Sequence, residues 1–262
     1  MITVALQGGL GNTMFQYAYG LALEARGYQV QYDKSRERPG THREYALGVF
    51  GELPFGNPSE TLFREGDFRF DESKMNPPDP STTIGYWQSE KYFKSIENDI
   101  RRKFNAALWP QKSSVVSESF AVAHSEIYRS ISIAVHVRRQ DYVDWQSFHG
   151  MPSVDYYLAA VKQIQCQILP SKVFVFSDDR EWCRQNLPQD WRVVSGTYKY
   201  DDLRLMGCCK HSVLANSSFS WWGTWLGDNQ QGRLVVAPKQ WFADPQMQEQ
   251  STDICPERWI RI

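Results

Sequence analysis

Hydrophobic positions fall into short runs separated by glycine-rich or charged turns. Ile2–Leu6 (ITVAL) has the length of a buried strand and stops at Gly8-Gly9. Met14–Arg26 places apolar residues at helical spacing, Gly27 ends that helix, and Tyr28–Tyr32 predicts a second strand. Strand, helix, strand is the opening of a parallel sheet. Residues 34–83 are rich in proline, glycine and charge, and predict an irregular region with short helices that forms an accessory surface. Ser89–Phe104 reads as one amphipathic helix capped by Ser89, and Ser117–Arg129 as another helix.

Ile131–Val137 (ISIAVHV) is the strongest strand signal. A second alternating series follows it. Helices are predicted at Val154–Leu169, Arg180–Gln185, Asp201–Lys210 and Trp221–Leu226, and strands at Val173–Phe176, Trp191–Val194, Val213–Ala215 and, last, Leu234–Ala237. Alternation at both ends of the chain predicts an α/β protein of two domains, residues 1–125 and 126–262, facing a cleft.

Composition narrows the function. Of 262 residues, 42% are hydrophobic and 23% charged, which excludes a disordered chain. A net charge of -1 argues against a general nucleic-acid binder while allowing a local basic pocket. Aromatics reach 14%, enough for a large core and for stacking against a sugar ring or a base. No run approaches the roughly 18 apolar residues of a membrane span. The first residues, MITVALQGGLGN, lack a basic leader segment, so an intracellular protein is expected. The five cysteines have no framework spacing and are expected to be reduced; no zinc-type spacing occurs.

The chemistry-bearing clusters fall at predicted strand ends, where open α/β sheets bind ligands. Gly8-Gly9-Leu10-Gly11-Asn12 joins strand to helix, so it is either a tight turn or an anion-binding helix start. His136-x-Arg138-Arg139-x-Asp141 ends the strongest strand. Alternation puts His136 and Arg138 on one side, and arginine's planar fork suits phosphate; an Arg–Asp surface pair is the bland alternative. Ser177-Asp178-Asp179 follows VFVF and is open to three readings: a Mg²⁺ site, a grip on ribose hydroxyls, or a helix cap. Asn216-Ser217-Ser218-Phe219-Ser220 precedes a helix and reads as a cap or a diphosphate cradle. Together they describe a sugar-nucleotide site. A nicotinamide enzyme is the runner-up, on Gly9-x-Gly11 and Asp33, although bulky Met14 occupies the third glycine position. A non-catalytic glycan-binding module, on the aromatics, is a third reading.

Five segments carry a family resemblance: Gly8–Ala18 (GGLGNTMFQYA), Gly85–Phe93 (GYWQSEKYF), His136–Tyr142 (HVRRQDY), Phe176–Asp179 (FSDD) and Leu214–Gly223 (LANSSFSWWG). In this order they resemble bacterial α-1,2-fucosyltransferases of glycosyltransferase family 11. Thr13 departs from the pattern, where glutamine is usual, and only a small effect on packing is expected from it.

The resemblance implies a GT-B fold, with the donor GDP-β-L-fucose held mostly by the C-terminal domain. The acceptor would be a galactose-terminated oligosaccharide or lipid-linked glycan, as in H-antigen-like structures, 2'-fucosyllactose or lipopolysaccharide O-antigen. Transfer to galactose O2 would be inverting, with no metal or other cofactor. The location would be cytoplasmic, with peripheral contact at the inner face of the membrane.

By position, Arg138 would clamp the β-phosphate, Arg139 would order the strand end, and His136 would touch guanine or ribose. Asp202, sixteen positions before Ser218, resembles a guanine-reading acid. Ser217, Ser218 and Phe219 would contact the diphosphate, Gly9, Gly11 and Asn12 would approach the pyrophosphate or fucose, and Asp178 and Asp179 would belong to the donor site. Asp141 is the candidate base.

Overall fold

The computed structural model describes residues 1–36, 46–108, 117–139, 150–168, 171–228 and 230–262. The chain forms two compact units, Met1–Trp109 with Glu249–Pro256, and Pro110–Gln248 with Glu257–Ile262. The division falls between residues 109 and 110, and a late segment returns to the first unit. Asp253 explains that return: its carboxylate accepts from the Phe70 backbone N–H at 2.9 Å and from Lys91 Nζ at 2.6 Å. Such a long-range pairing leaves no trace in local pattern.

The first unit contains β1 (Ile2–Ala5), α1 (Leu10–Ala25), β2 (Val30–Asp33), β3 (Leu62–Arg64), β4 (Ser81–Ile84) and α2 (Glu97–Leu108). Its strands are parallel in the order β2-β1-β4-β3. Half of this sheet comes from the stretch expected to be irregular. β4 reads STTI and is buried at all four positions, so a hydroxyl-rich sequence hides a core strand. The expected helix Ser89–Phe104 is broken at Phe93, whose φ of −126° kinks the 3-10 segment Glu90–Ile96 that precedes α2. Ser89 does cap that turn, accepting from the Lys91 N–H.

The second unit runs α3 (Glu118–Tyr128), β5 (Ser132–Val137), α4 (Val154–Gln165), β6 (Lys172–Ser177), α5 (Arg180–Asn186), β7 (Arg192–Val193), α6 (Lys199–Cys208), β8 (His211–Val213), α7 (Ser218–Trp225), β9 (Val235–Ala237), α8 (Pro245–Gln250) and β10 (Ile260–Arg261). The short elements α8 and β10 were not expected. All its strand pairs are parallel, in the order β10-β9-β8-β5-β6-β7. Counted within the unit, this is the doubly wound order 3-2-1-4-5-6 of dinucleotide-binding sheets, and the winding reverses between β5 and β8. Two parallel α/β units in one chain are the GT-B class of architecture.

Alternation along β5 sends Ile133, Val135 and Val137 into a core with Val161, Ile164, Val173, Val175 and Leu187. The aromatic surplus is largely core: Trp87, Trp221, Trp222 and Trp225 are fully buried, and Trp221 stacks on Trp225 at 5.6 Å. All five cysteines are free thiols. Burial pushes the thiols of Cys183 and Cys209 up to about 11 and about 12.

Candidate active site

In the second unit, the carboxyl ends of β5 and β8 are neighbours at the reversal of winding. His136 points away from the Ile133–Val137 core face. It is 4% exposed, its ring lies 5.6 Å from that of Phe219, and its Nδ1 has no hydrogen-bond partner among the described residues. Burial, and then the Arg138 charge, lower its pKa to about 3, so the imidazole is neutral. A buried, unpaired ring nitrogen at a sheet's carboxyl edge is costly unless a ligand or water meets it.

The two arginines after β5 differ. Arg138 Nη1 lies 3.1 Å from Asp178 Oδ2, with about a quarter of its side chain exposed. Arg139 is anchored on several sides. Its backbone N–H donates to Asp178 at 3.0 Å, its Nε to Asp179 at 3.3 Å, and its guanidinium lies 3.9 Å over the Trp182 ring. Asp179 also caps α5, accepting from the Trp182 N–H at 3.1 Å. The cap reading of the acid pair is therefore realised. Both carboxylates orient arginines. Among the described residues, no group of three or more His, Cys, Asp and Glu is placed to hold a metal ion.

Asp202 lies in the first turns of α6 and is 8% exposed. It accepts from Thr197 Oγ1 and from Arg180 Nη2, the latter at 3.3 Å. Burial raises its pKa to about 6 against the pull of Thr197 and Arg180. Arg180 also donates from Nε to the Val194 carbonyl at 2.9 Å. The sequence marked Arg180 only as a helix start; nothing local told of its link to Asp202.

Ser217 is the N-cap residue of α7 without using its side chain as a cap, so simple capping does not account for its hydroxyl. Ser220 instead folds its hydroxyl back onto the Ala215 and Ser217 carbonyls, and Asn216 donates to the Trp241 carbonyl at 2.9 Å. The start of α7, with Ser217, Ser218 and Phe219, therefore stands beside His136 at the end of β5. Asp141, the candidate base, lies outside the described residues.

In the first unit, the turn after β1 takes its left-handed residue at Gly8, with φ of +88°. A Cβ there would sit 2.4 Å from Asn12 Nδ2. Gly9 is the N-cap of α1 and Gly11 lies in its buried first turn, so the left-handed position of this turn is Gly8, outside the pair Gly9 and Gly11 expected to approach the donor. Asn12 Oδ1 accepts from Gln88 Nε2 at 2.8 Å. Thr13 donates back to the Leu10 carbonyl at 3.0 Å, inside its own helix. The Asp33 carboxylate closes its own turn by accepting from the Ser35 N–H and hydroxyl, both at 2.9 Å.

Glu65 carried no sequence signal. It is buried, accepts from the Tyr86 and Trp87 N–H groups at 2.6 and 2.9 Å, and is pushed by burial up to about 7.

A family model described as glycosyl transferase family 11 matches residues 72–262. Over its full length the chain is 28% identical to an alpha-1,2-colitosyltransferase of Escherichia coli, the alignment covering 99% of that protein. It is 34% identical to the O-antigen biosynthesis glycosyltransferase WbnK of Escherichia coli over 49% of this chain and 44% of that protein. Among solved structures, the ADP-heptose LPS heptosyltransferase II of E. coli aligns with 100% of this chain and 89% of its own, with a TM-score of 0.48 at 14% identity. The family match spans most of the chain, and the chain belongs to glycosyl transferase family 11. That membership replaces the nicotinamide-enzyme and glycan-binding readings.

Proposed function

We propose that this family 11 glycosyltransferase moves L-fucose from GDP-β-L-fucose to O2 of a terminal β-galactose, forming an α-1,2 linkage with inversion. The observation that carries the reading is the pairing of His136 and Arg138 at the end of β5 with Ser217–Phe219 at the start of α7. A guanidinium and a helix start at one edge of a doubly wound sheet suit a diphosphate.

In this mechanism Arg138 stabilises charge growing on the β-phosphate as the fucose C1–O bond breaks. Asp178 holds one side of its guanidinium and so aims it. Asp202, ionised above its pKa of about 6, accepts from the guanine N–H groups. The galactose O2 attacks C1 from the face opposite GDP, and the Asp141 carboxylate takes its proton. On a loose path that proton leaves late, and positioning by Asn12 and Arg138 supplies most of the rate. No metal is required. The acceptor is a galactose-terminated oligosaccharide or a lipid-linked O-antigen glycan, met in the cytoplasm at the inner face of the membrane.

The full-length similarity to an alpha-1,2-colitosyltransferase supports the α-1,2 linkage and favours one second reading. Colitose is L-fucose without its 3-hydroxyl, so the same site could take GDP-colitose. Incubation with lactose and EDTA, with each donor in parallel, tests both. The expected product carries α-L-fucose on galactose O2 by NMR and mass spectrometry. Faster turnover of GDP-colitose moves the assignment to the second reading, and fucose on another hydroxyl overturns the linkage.

A further inference from the structure

The turns that follow β1 and β4 leave neighbouring strands, and two side-chain amides tie them together. Gln16 accepts from the Gln7 N–H at 2.9 Å and donates to the Gly85 carbonyl at 3.0 Å. Gln88 donates from Nε2 to Asn12 Oδ1 at 2.8 Å.

The turn that carries Gln88 is held against local preference. Trp87 has φ of 55°, the only non-glycine left-handed residue among those described. For a bulky side chain this costs about 1–3 kcal/mol and persists only where the surroundings fix it. Here they do. The Glu65 carboxylate takes the Tyr86 and Trp87 N–H groups, and the Trp87 ring lies flat on Tyr19 at 4.0 Å with 3° between planes. Space is also tight at Gly85, where a Cβ would meet Glu65 at 2.6 Å. The result is a rigid turn that sets the Gln88 carboxamide against Asn12.

A primary carboxamide has two orientations of nearly equal shape and opposite hydrogen-bonding sense. A donor at Asn12 Oδ1 selects the one with Nδ2 over Gly8, the position a Cβ would crowd at 2.4 Å. We propose that Gln88 is a positioning residue for sugar transfer, acting through Asn12 by holding its carboxamide with the N–H side toward the Gly8 turn. This rests on the reading of Asn12 as a contact to the donor's pyrophosphate or fucose. Gln88 itself need touch neither substrate.

The test compares Gln88→Glu, Gln88→Ala, Asn12→Ala and the double variant Asn12→Ala/Gln88→Ala. The readouts are kcat and KM for the donor that the unaltered protein uses, the Kd for GDP, and Tm as a folding control. Glutamate keeps the shape of glutamine but accepts where glutamine donates, so it turns the Asn12 amide around. Gln88→Glu is expected to lower kcat by about 10- to 100-fold, at least as much as Gln88→Ala. GDP affinity and Tm should stay close to those of the unaltered protein. In the Asn12→Ala background, Gln88→Ala should cost no more than about twofold, as expected for residues acting as one unit. A Gln88→Glu variant milder than Gln88→Ala, or losses that multiply in the double variant, overturns the positioning role while leaving Asn12 in place. A normal rate in Asn12→Ala overturns the reading of Asn12, and the role of Gln88 with it.

Discussion

The carboxyl edges of the two sheets carry opposite kinds of chemistry. Beyond the ends of β5 and β6 the second unit pairs Arg138 with Asp178 and Arg139 with Asp179, and Arg180 at the start of α5 reaches Asp202 on α6. At the β1–β4 edge the first unit presents carboxamides, Asn12, Gln16 and Gln88, around a glycine turn, and the buried Glu65 carboxylate is occupied by backbone N–H groups. Charge assistance roughly doubles the strength of a hydrogen bond, whereas a neutral amide offers direction. On the proposed function, the charged edge suits binding of the diphosphate and the carboxamide edge suits orientation of a reacting group.

The largest expected effect is at Arg138. Arg138→Ala should lower kcat by about 10²–10³-fold, as when one transition-state donor is removed, and steady-state transfer rates check it. A loss smaller than that of Asn12→Ala would break the division of labour. Next, Asp202→Asn puts an amide where guanine requires an acceptor, and GDP affinity by calorimetry should fall at least about 10-fold. Binding of guanosine should also weaken as pH drops through about 6, where Asp202 protonates. Third, Arg139→Ala should leave kcat within a few-fold and lower stability by about 1 kcal/mol, through loss of the stack on Trp182. An Arg139→Ala variant as slow as Arg138→Ala would show that both arginines meet the donor.

Smaller effects of opposite sign separate the two edges in pH titrations of stability. Glu65 is raised from 4.5 to about 7 in the folded protein, so its folded form keeps a proton that the unfolded chain releases. Its contribution is complete below 4.5 and is lost as pH rises through 7. His136 is lowered from 6.5 to about 3, so its contribution is complete above 6.5 and is lost as pH falls toward 3. Glu65→Gln should therefore flatten the fall of Tm between pH 4.5 and 7, and His136→Gln the fall below 6.5. A Tm profile unchanged in either variant contradicts the assignment of that group.

How far each edge could be read from sequence follows from how contiguous it is. β5 is a long apolar strand that runs directly into His136, Arg138 and Arg139, so their placement together at a strand end is legible from sequence. Ser217–Phe219 was legible for the same reason, one short strand from a helix start. The first unit was harder. β4 is hydroxyl-rich, and hydrophobic periodicity cannot see a strand whose buried side chains are Ser and Thr. Glu65 and Arg180 act through residues distant in sequence, and so does Asp253 of the returning segment, which reaches Phe70 and Lys91. The glycine turn is legible in sequence, but the crowding of Gly8 by the folded-back Asn12 side chain is visible only in the structure.

The account stands most directly on Arg138 and the β-phosphate. Phosphorus NMR of GDP, titrated into the unaltered protein and into Arg138→Ala, reads that contact without needing the acceptor. The β-phosphorus resonance is expected to move on binding to the unaltered protein and to stay near its free position with Arg138→Ala, even where that variant is saturated. The same β-phosphorus shift at the same Kd in both proteins would place the diphosphate elsewhere and contradict it.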